Sequence, residues 1–513
     1  MNNQSRKINS IINSSLGIVT QMVIMIGQFA MQTVFIKTLG AEYLGLNGLF
    51  SNVLQFLSLA ELGIGGAITF SLYGPIARDD TDQIGSIMKL YKKVYSYIGF
   101  TILFFGIALS VAIHNFISNT NIKYIQVLFI LFLMNSVVSY FFSYRRTLLM
   151  ADQRSYIDST NQAIFKVIQV VLQAIFLTQT HNYVAYLLIQ ILVTFSSNLV
   201  IYFKTNKIYP FLKNNNYPEI DKNTTLKMKK NVVGAISSKI GVVVMYGTDN
   251  LLVSKFIGLT MVGIYSNYML VLNSVVSLLN QLFSPVASSI ANYLNDDGEK
   301  DASNVFFRYM YIVNALSLLV GFGLTMVINM FIQIWLGKEY LLSNIVLSML
   351  LLNWMINSMR SAVLTFMTAL GTYWETRWKS LVESAVNLIV GLVLITQTHL
   401  GVLSVVLGSF AANVLVNMWF EPLVLFRKKP SISVAMYIRR YILYVILALL
   451  IAVIPLVFND IKVQATFLNF ITVGILSVVG FVFVFGAITF LFPENKYFRN
   501  LIRNIVKAKF GKK

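Results

Sequence analysis

Apolar runs of about 20 residues or more recur along this chain from end to end, the length needed to cross a bilayer as a helix. Fourteen of them fall at 11–36, 43–72, 90–113, 124–149, 156–177, 182–203, 231–255, 262–293, 304–332, 342–370, 378–396, 400–425, 437–457 and 464–492. Membrane strands would instead give alternating segments of about ten residues, and the sequence has none. Only 12% of the residues are charged, against about 25% in a soluble domain, so the chain cannot cover itself with a water-compatible surface. The sequence therefore predicts an all-α polytopic membrane protein with fourteen transmembrane helices. The first run is too long for a signal-peptide core and lacks a small-residue cleavage site behind it, so it is expected to stay as the first helix.

A net charge of +20 suggests a nucleic-acid partner until each cation is placed on this map. Of the 40 Lys and Arg residues, 32 lie at the N-terminus, in the even-numbered loops with their adjoining helix ends, or in the C-terminal tail. Five lie in the odd-numbered loops and three inside helices. Positive charge collects on the cytoplasmic side of membrane proteins, so both termini are expected in the cytoplasm. The basic balance encodes topology and contact with the lipid bilayer, and no nucleic acid is expected as a partner.

The tetrapeptide TQTH occurs at Thr178–His181 and again at Thr396–His399, an offset of 218 residues. The same offset lays LGAEYLG at 39–45 on IGLTMVG at 257–263, pairing Gly40 with Gly258 and Gly45 with Gly263. It also pairs Asn13 with Asn231, Asn135 with Asn353, Thr147 with Thr365 and Ala151 with Ala369. One register relating so many places reads as a duplication. Each half has six helices, an even number, so the two are parallel repeats with a ligand site expected between them near the midplane. The predicted division is an N-lobe over 1–203 (helices 1–6), a cytoplasmic linker over 204–230 and a C-lobe over 231–426 (helices 7–12). Helices 13 and 14 follow over 427–492, then a basic cytoplasmic tail over 493–513. Both TQTH copies fall between the fifth and sixth helices of a lobe, where polar residues satisfy backbone groups freed at helix ends.

Polar side chains in hydrocarbon are costly, so their arrangement is informative. Gln21, Gln28 and Gln32 share a face of helix 1 with Ser14, and Lys239, Tyr246 and Asn250 share a face of helix 7. These two stripes are in register at the 218-residue offset. Helix 8 carries Asn273 among serines, helix 5 carries Gln162, Lys166, Gln169 and Gln173, and helix 10 carries Asn353, Asn357 and Arg360. Hydrogen bonding between helices uses the same residue types; five stripes together favour a hydrated path. Six charges are singled out within helices: Glu61, Lys166, Lys239, Asp249, Arg360 and Glu383. The cations suit phosphate oxygens, Arg by bidentate bonding and Lys as a point charge. The acids Glu61, Asp249 and Glu383 suit carrying a proton or a cation, and internal pairing, such as Asp249 with Lys239, is the competing expectation. Arg145 and Arg146 are expected as topology anchors at the cytoplasmic end of helix 4.

Enzymatic signatures are missing. The chain has no cysteine, its three histidines are scattered, and neither a GxxxxGK[ST] loop nor an HExxH pair occurs. A transporter with no catalytic residues, no metal and no cofactor is expected.

The stretch LGAEYLGLNGLFSNVLQFLSLAELGIGGAI at 39–68, with SLYGPIA after it, resembles the bacterial polysaccharide transporter family. So do LLMADQRSYI at 148–157, TDNLLVSKFIGLTMVGIYSNY at 248–268 and ALGTYWETRWKS at 369–380. These are the Wzx-type flippases of the multidrug/oligosaccharidyl-lipid/polysaccharide exporter superfamily. The resemblance implies a two-lobed fold in the bacterial cell membrane that opens alternately to each side. It implies transfer of a polyprenyl-diphosphate-linked oligosaccharide to the outer leaflet, for capsule, O-antigen or exopolysaccharide assembly. A polysaccharide polymerase and its assembly machinery would be partners, a proton or sodium gradient or the membrane potential the drive, and helices 13 and 14 a groove for the lipid tail. Two alternatives stay open. A multidrug-type exporter should favour an acidic or aromatic cavity, and helix 1 has no acid; a peptidoglycan-precursor flippase is the nearer one.

Overall fold

The computed structural model describes residues 3–61, 64–117, 120–213, 217–218, 247–296, 302–370, 372, 375–457 and 464–510. Lys239, Tyr246 and most of the expected 204–230 linker lie outside the described residues. The described residues are helical throughout, with no strand among them, and eleven helices are long and apolar enough to cross a membrane. The chain is a multi-pass membrane protein. It divides into two compact units, Met1–Ser266 and Asn267–Lys513.

In the first unit, α1 (Asn3–Leu57) runs through both of the first two apolar runs. The loop expected between them is a single residue, Gly40, whose φ of 86° and ψ of 176° break the helix in a region that glycine tolerates. Its duplicate, Gly258, also has a positive φ, 127°. The second run is broken again, by a 3₁₀ turn at Ser58–Glu61 ahead of α2 (Ile64–Ala77). α3 (Thr81–Ala112) starts where the Asp80 carboxylate accepts from the Gln83 amide at 2.9 Å, an N-cap. α4 (Ile125–Ala151), α5 (Ser155–Thr180) and α6 (Tyr183–Ile208) complete the six. Ile87, Tyr91, Leu133 and Leu72 form the core where α2, α3 and α4 meet, and α5 packs on α1 and α6. On α5, Ile164, Val167, Val171 and Ile175 are exposed apolar residues opposite the Gln/Lys stripe, so the polar face turns inward. Helical residues 247–256, α7, and the start of α8 (Leu259–Asp296) belong to this unit.

Loops expected on one side do meet. Lys89 and Lys92 of α3, Arg145 of α4 and Lys213 after α6 line one pocket. At the other end, Thr120 donates to Glu42 at 2.6 Å and Ser254 to the Phe116 carbonyl at 2.7 Å.

The second unit holds α9 (Ala302–Trp335), α10 (Asn344–Met359), α11 (Ser361–Ala369) and α12 (Lys379–Gln397). The run expected over 342–370 is thus two helices parted at Arg360. The next run is α13 (Val402–Ala412) and α14 (Met418–Lys428), joined by a π turn at Asn413–Asn417. α15 (Val434–Val457) packs on α9 and α10, and α16 (Phe467–Ile488) on α9. The basic tail forms a further helix, α17 (Pro493–Phe510), tied down by Arg440 donating to Glu494 at 3.1 Å.

The repeat is visible in local detail. Tyr91 and Thr147 share a hydrogen bond of 3.1 Å, and their duplicates Tyr309 and Thr365 share one of 3.2 Å. Each TQTH ends a helix, and its threonines bond back to carbonyls one turn earlier. Thr178 donates to Ala174 and Thr396 to Leu392, Thr180 to Phe176 and Thr398 to Leu394. Thr398 caps its helix in extended geometry, whereas His181 caps the first in the left-handed region.

Candidate functional site

Three polar constructions stand out inside the helices. The first is a cavity of about 370 Å³ in the N-terminal unit, lined by α4, α5 and α6 with Ile24 of α1. Gln162, Lys166 and Gln169 project from α5 into it. Gly27 of α1 packs against this part of α5: a Cβ there would lie 3.2 Å from Val170 Cγ2 and in ordinary contact with the Lys166 stem. No acid pairs with Lys166 among the described residues, and its ammonium is half-buried. The neighbouring cation is spent. Arg146 binds Asp158 in a short ion pair and donates to Asn198 at 2.8 Å and Ser197 at 3.2 Å. Gln162 also donates to Asp158, at 2.8 Å. The stripe's last member, Gln173, is buried and donates to the Tyr186 carbonyl at 3.1 Å, outside the cavity.

The second is Glu61. The 3₁₀ turn that interrupts the second apolar run aims its carboxylate at two phenols: Tyr95 donates to one oxygen in a short bond, and Tyr140 to the other at 2.9 Å. No cation contacts it among the described residues.

The third is a charge knot in the C-terminal unit. Arg360, at the break between α10 and α11, makes a bidentate pair with Glu421: Nη2 donates to Oε1 at 2.5 Å and Nε to Oε2 at 3.0 Å. Lys379 donates to Glu421 at 2.6 Å and pairs with Glu383 at 3.1 Å. Arg360 Nη1 donates to Asn357 at 2.6 Å and Asn413 at 2.9 Å, with Glu383 at 3.8 Å. Asn417 donates to Glu383 at 2.5 Å, and Asn413 to Asn353 at 3.2 Å. The π turn brings Asn413 and Asn417 onto one side, an extra residue used to aim two amides. Two cations meet two carboxylates, so the knot is neutral as a set.

Arg360 was expected to offer its fork to phosphate; in the structure the fork holds Glu421, and Asn353, Asn357 and Glu383 join the same network. Lys379, Glu421, Asn413 and Asn417 were not singled out in the sequence. Both cations and acids near helix ends look ordinary there, and only the three-dimensional meeting marks them. The knot has a counterpart in Arg146, which likewise ties together three consecutive helices of its own unit. The two arginines are not duplicates: the offset places Arg360 on Phe142, one turn from Arg146.

The remaining expected residues are dispersed. Gln21 and Gln32 are half-buried and Gln28 is exposed on α1, none of them lining the Lys166 cavity. Asn250 is half-buried on α7, its Oδ1 enclosed without a partner among the described residues, and Asp249 is half-buried beside it. Asn273, on α8, is exposed in the second unit.

No family model matches the chain, and no curated protein matches it in sequence. Solved structures do match in fold. The lipid II flippase MurJ in an inward closed conformation superposes with a TM-score of 0.65 at 15% identity, over 93% of this chain and 99% of MurJ. A multidrug resistance MATE family transporter of the MOP superfamily, inward-facing, gives 0.61 at 12% identity, over 81% of this chain and 98% of its own. The MATE transporter VcmN of Vibrio cholerae gives 0.58 at 12% identity, over 82% and 98%. The chain shares the fold of these proteins.

Proposed function

We propose that this protein is a flippase that moves a polyprenyl-diphosphate-linked oligosaccharide from the inner to the outer leaflet of a bacterial cell membrane by alternating access. The observation that carries this reading is Lys166: a cation without an acid partner among the described residues, in a cavity lined by Gln, Ser, Thr and Asn side chains as well as apolar ones. Such a cavity attracts the diphosphate of a lipid-linked sugar and repels the cationic compounds that a multidrug exporter would take. The coverage of the two fold matches supports it. MurJ accounts for 93% of these 513 residues and the MATE transporter for 81%, a difference of about 60 residues, close to the length of α15 and α16 together with their connection. That pair suits a groove for the lipid tail. The MurJ match also favours a second reading, a peptidoglycan lipid-precursor flippase, which uses the same phosphate chemistry. Fourteen crossings with both termini in the cytoplasm complete the proposal, and a chain without cysteine is ready for single-cysteine accessibility mapping.

Mass spectrometry of membrane lipids from cells with and without the protein tests the assignment. Accumulated polyprenyl-diphosphate oligosaccharide with loss of surface polymer supports it, and accumulated peptidoglycan precursor supports the second reading. Unchanged lipid carriers with raised sensitivity to cationic compounds would overturn both.

Two substitutions address the mechanism. Lys166→Ala should lower transport roughly 10- to 100-fold, the value of one charge-assisted hydrogen bond to phosphate, with an unchanged melting temperature because no carboxylate is orphaned. Wild-type transport in this variant would remove Lys166 from the path. We further propose that Glu61 couples transport to a proton gradient. Glu61→Gln keeps an acceptor for the phenols but cannot titrate, so transport should stop responding to an imposed pH gradient; an undiminished response would transfer that role elsewhere.

A further inference from the structure

Arg145 and Arg146 are neighbours on α4, about 100° apart around the helix, and they face different cavities. Arg146 borders the Lys166 cavity, whereas Arg145 borders a separate pocket of about 260 Å³ at the basic end of the N-terminal unit. We propose that this second pocket is a binding site for a phosphoryl group, carried by a phosphate ester on the cytoplasmic side. The site is independent of the flippase reading.

Arg145 is only 5% exposed, and among the described residues no acid pairs with it. Its guanidinium lies 5.2 Å from the Tyr144 ring centroid and 5.0 Å from that of Tyr202, so two aromatic rings hold it in place. Nε donates to the Tyr144 hydroxyl at 3.2 Å, and Nη1 is buried with no partner among the described residues. A buried guanidinium N–H without an acceptor is costly, and a ligand oxygen is the group that would relieve it. The surroundings are chosen for an anion. Lys89, Lys92 and Lys213 line the pocket with Arg145, and no carboxylate does among the described residues. Asn206 adds an amide whose Oδ1 is buried and unpartnered, which suits a hydroxyl on the same ligand. Tyr217 closes one side, its ring against Gly85, where any Cβ would fall 2.1 Å from a ring carbon. An Arg with an unpartnered Nη1, flanking lysines and one hydroxyl acceptor match a phosphate ester with a free hydroxyl, whether a lipid headgroup such as phosphatidylglycerol or a soluble ester.

The test uses the full-length protein. Inorganic pyrophosphate is titrated by thermophoresis in neutral detergent, and lipid retention is measured by native mass spectrometry from nanodiscs of phosphatidylcholine with or without phosphatidylglycerol. Arg145→Met, which keeps the stem, should weaken binding at least tenfold. Lys92→Gln with Lys213→Gln, both exposed positions that need not disturb folding, should weaken it several-fold. Saturable pyrophosphate binding that is lost in these variants assigns a soluble phosphate ester. Selective phosphatidylglycerol retention lost in the same variants assigns a lipid headgroup. Absence of both in the wild type, or wild-type binding in the Lys92/Lys213 variant and in any folded Arg145 variant, overturns the proposal.

Discussion

Glu421→Gln should destabilise the protein by about 3–5 kcal/mol, the cost of removing one partner from a buried ion pair. Glu421 is 1% exposed and holds both Arg360 and Lys379. Without it, two cations share Glu383, which lies 3.8 Å from Arg360, too far for a good hydrogen bond. Arg360→Gln should cost a similar amount for the mirror-image reason, leaving a carboxylate in excess. The double variant restores neutrality and should recover much of the loss, so the two costs should not add. Thermal unfolding of the purified variants in detergent, with size-exclusion profiles for folded yield, measures this directly. Single variants that melt like the wild type, or costs that add, would show that the knot is not a closed electrostatic unit. Loss of transport in Arg360→Ala would then need reading beside its melting curve, because a folding defect lowers both.

Much of the architecture was legible because hydrocarbon imposes simple rules. Apolar runs marked the helices, and the alternation of Lys and Arg sorted loops that the structure brings together in groups, Lys89, Arg145 and Lys213 at one end and Glu42 with Thr120 at the other. Breaks inside hydrocarbon were less visible. Gly40 interrupts a helix without any polar loop, and the turn at Ser58–Glu61 and the π turn at Asn413–Asn417 carry too few polar residues to divide the apolar runs that contain them.

The candidate site was legible in kind and only partly in place. The α5 stripe led to the cavity that holds Lys166, since one polar face on an otherwise apolar helix must point inward. Charge alone does not reveal whether a partner comes from a distant helix, and so Arg360 looked available when Glu421, 61 residues away, already occupied it. Arg145 and Arg146 looked equivalent as anchors; one step along α4 sends the first to a pocket of lysines and the second to Asp158. Helical rotation separates their roles, and it acts through neighbours that adjacency in sequence does not show.

Gly45→Ala and Gly263→Ala should each disrupt the N-terminal unit, and their effects should overlap. A Cβ at Gly45 would lie 1.8 Å from the Leu259 carbonyl oxygen, and one at Gly263 would lie 2.2 Å from that of Ala41. The obstacle in both cases is backbone, which no rotamer change can move aside. The four residues form a reciprocal pair under the 218-residue offset: Gly45 becomes Gly263, and Ala41 becomes Leu259. Each helix thus presents its glycine to the start of the other, as in an interface with twofold symmetry. Close approach of this kind substitutes packing for the hydrophobic drive that is missing between helices in lipid. Alanine at either glycine must push the same two segments apart, with an overpacking cost of about 1–3 kcal/mol. Once they are apart, the second alanine has less to displace, so the double variant should cost clearly less than the two singles together. Gly17→Ala serves as the control, because nothing lies within 4 Å of its would-be Cβ and alanine favours a helix interior. Melting temperatures in detergent would decide it. Wild-type stability in both single variants would mean the helices do not meet this closely, and strict additivity would mean the contacts are separate and not two halves of one duplicated joint.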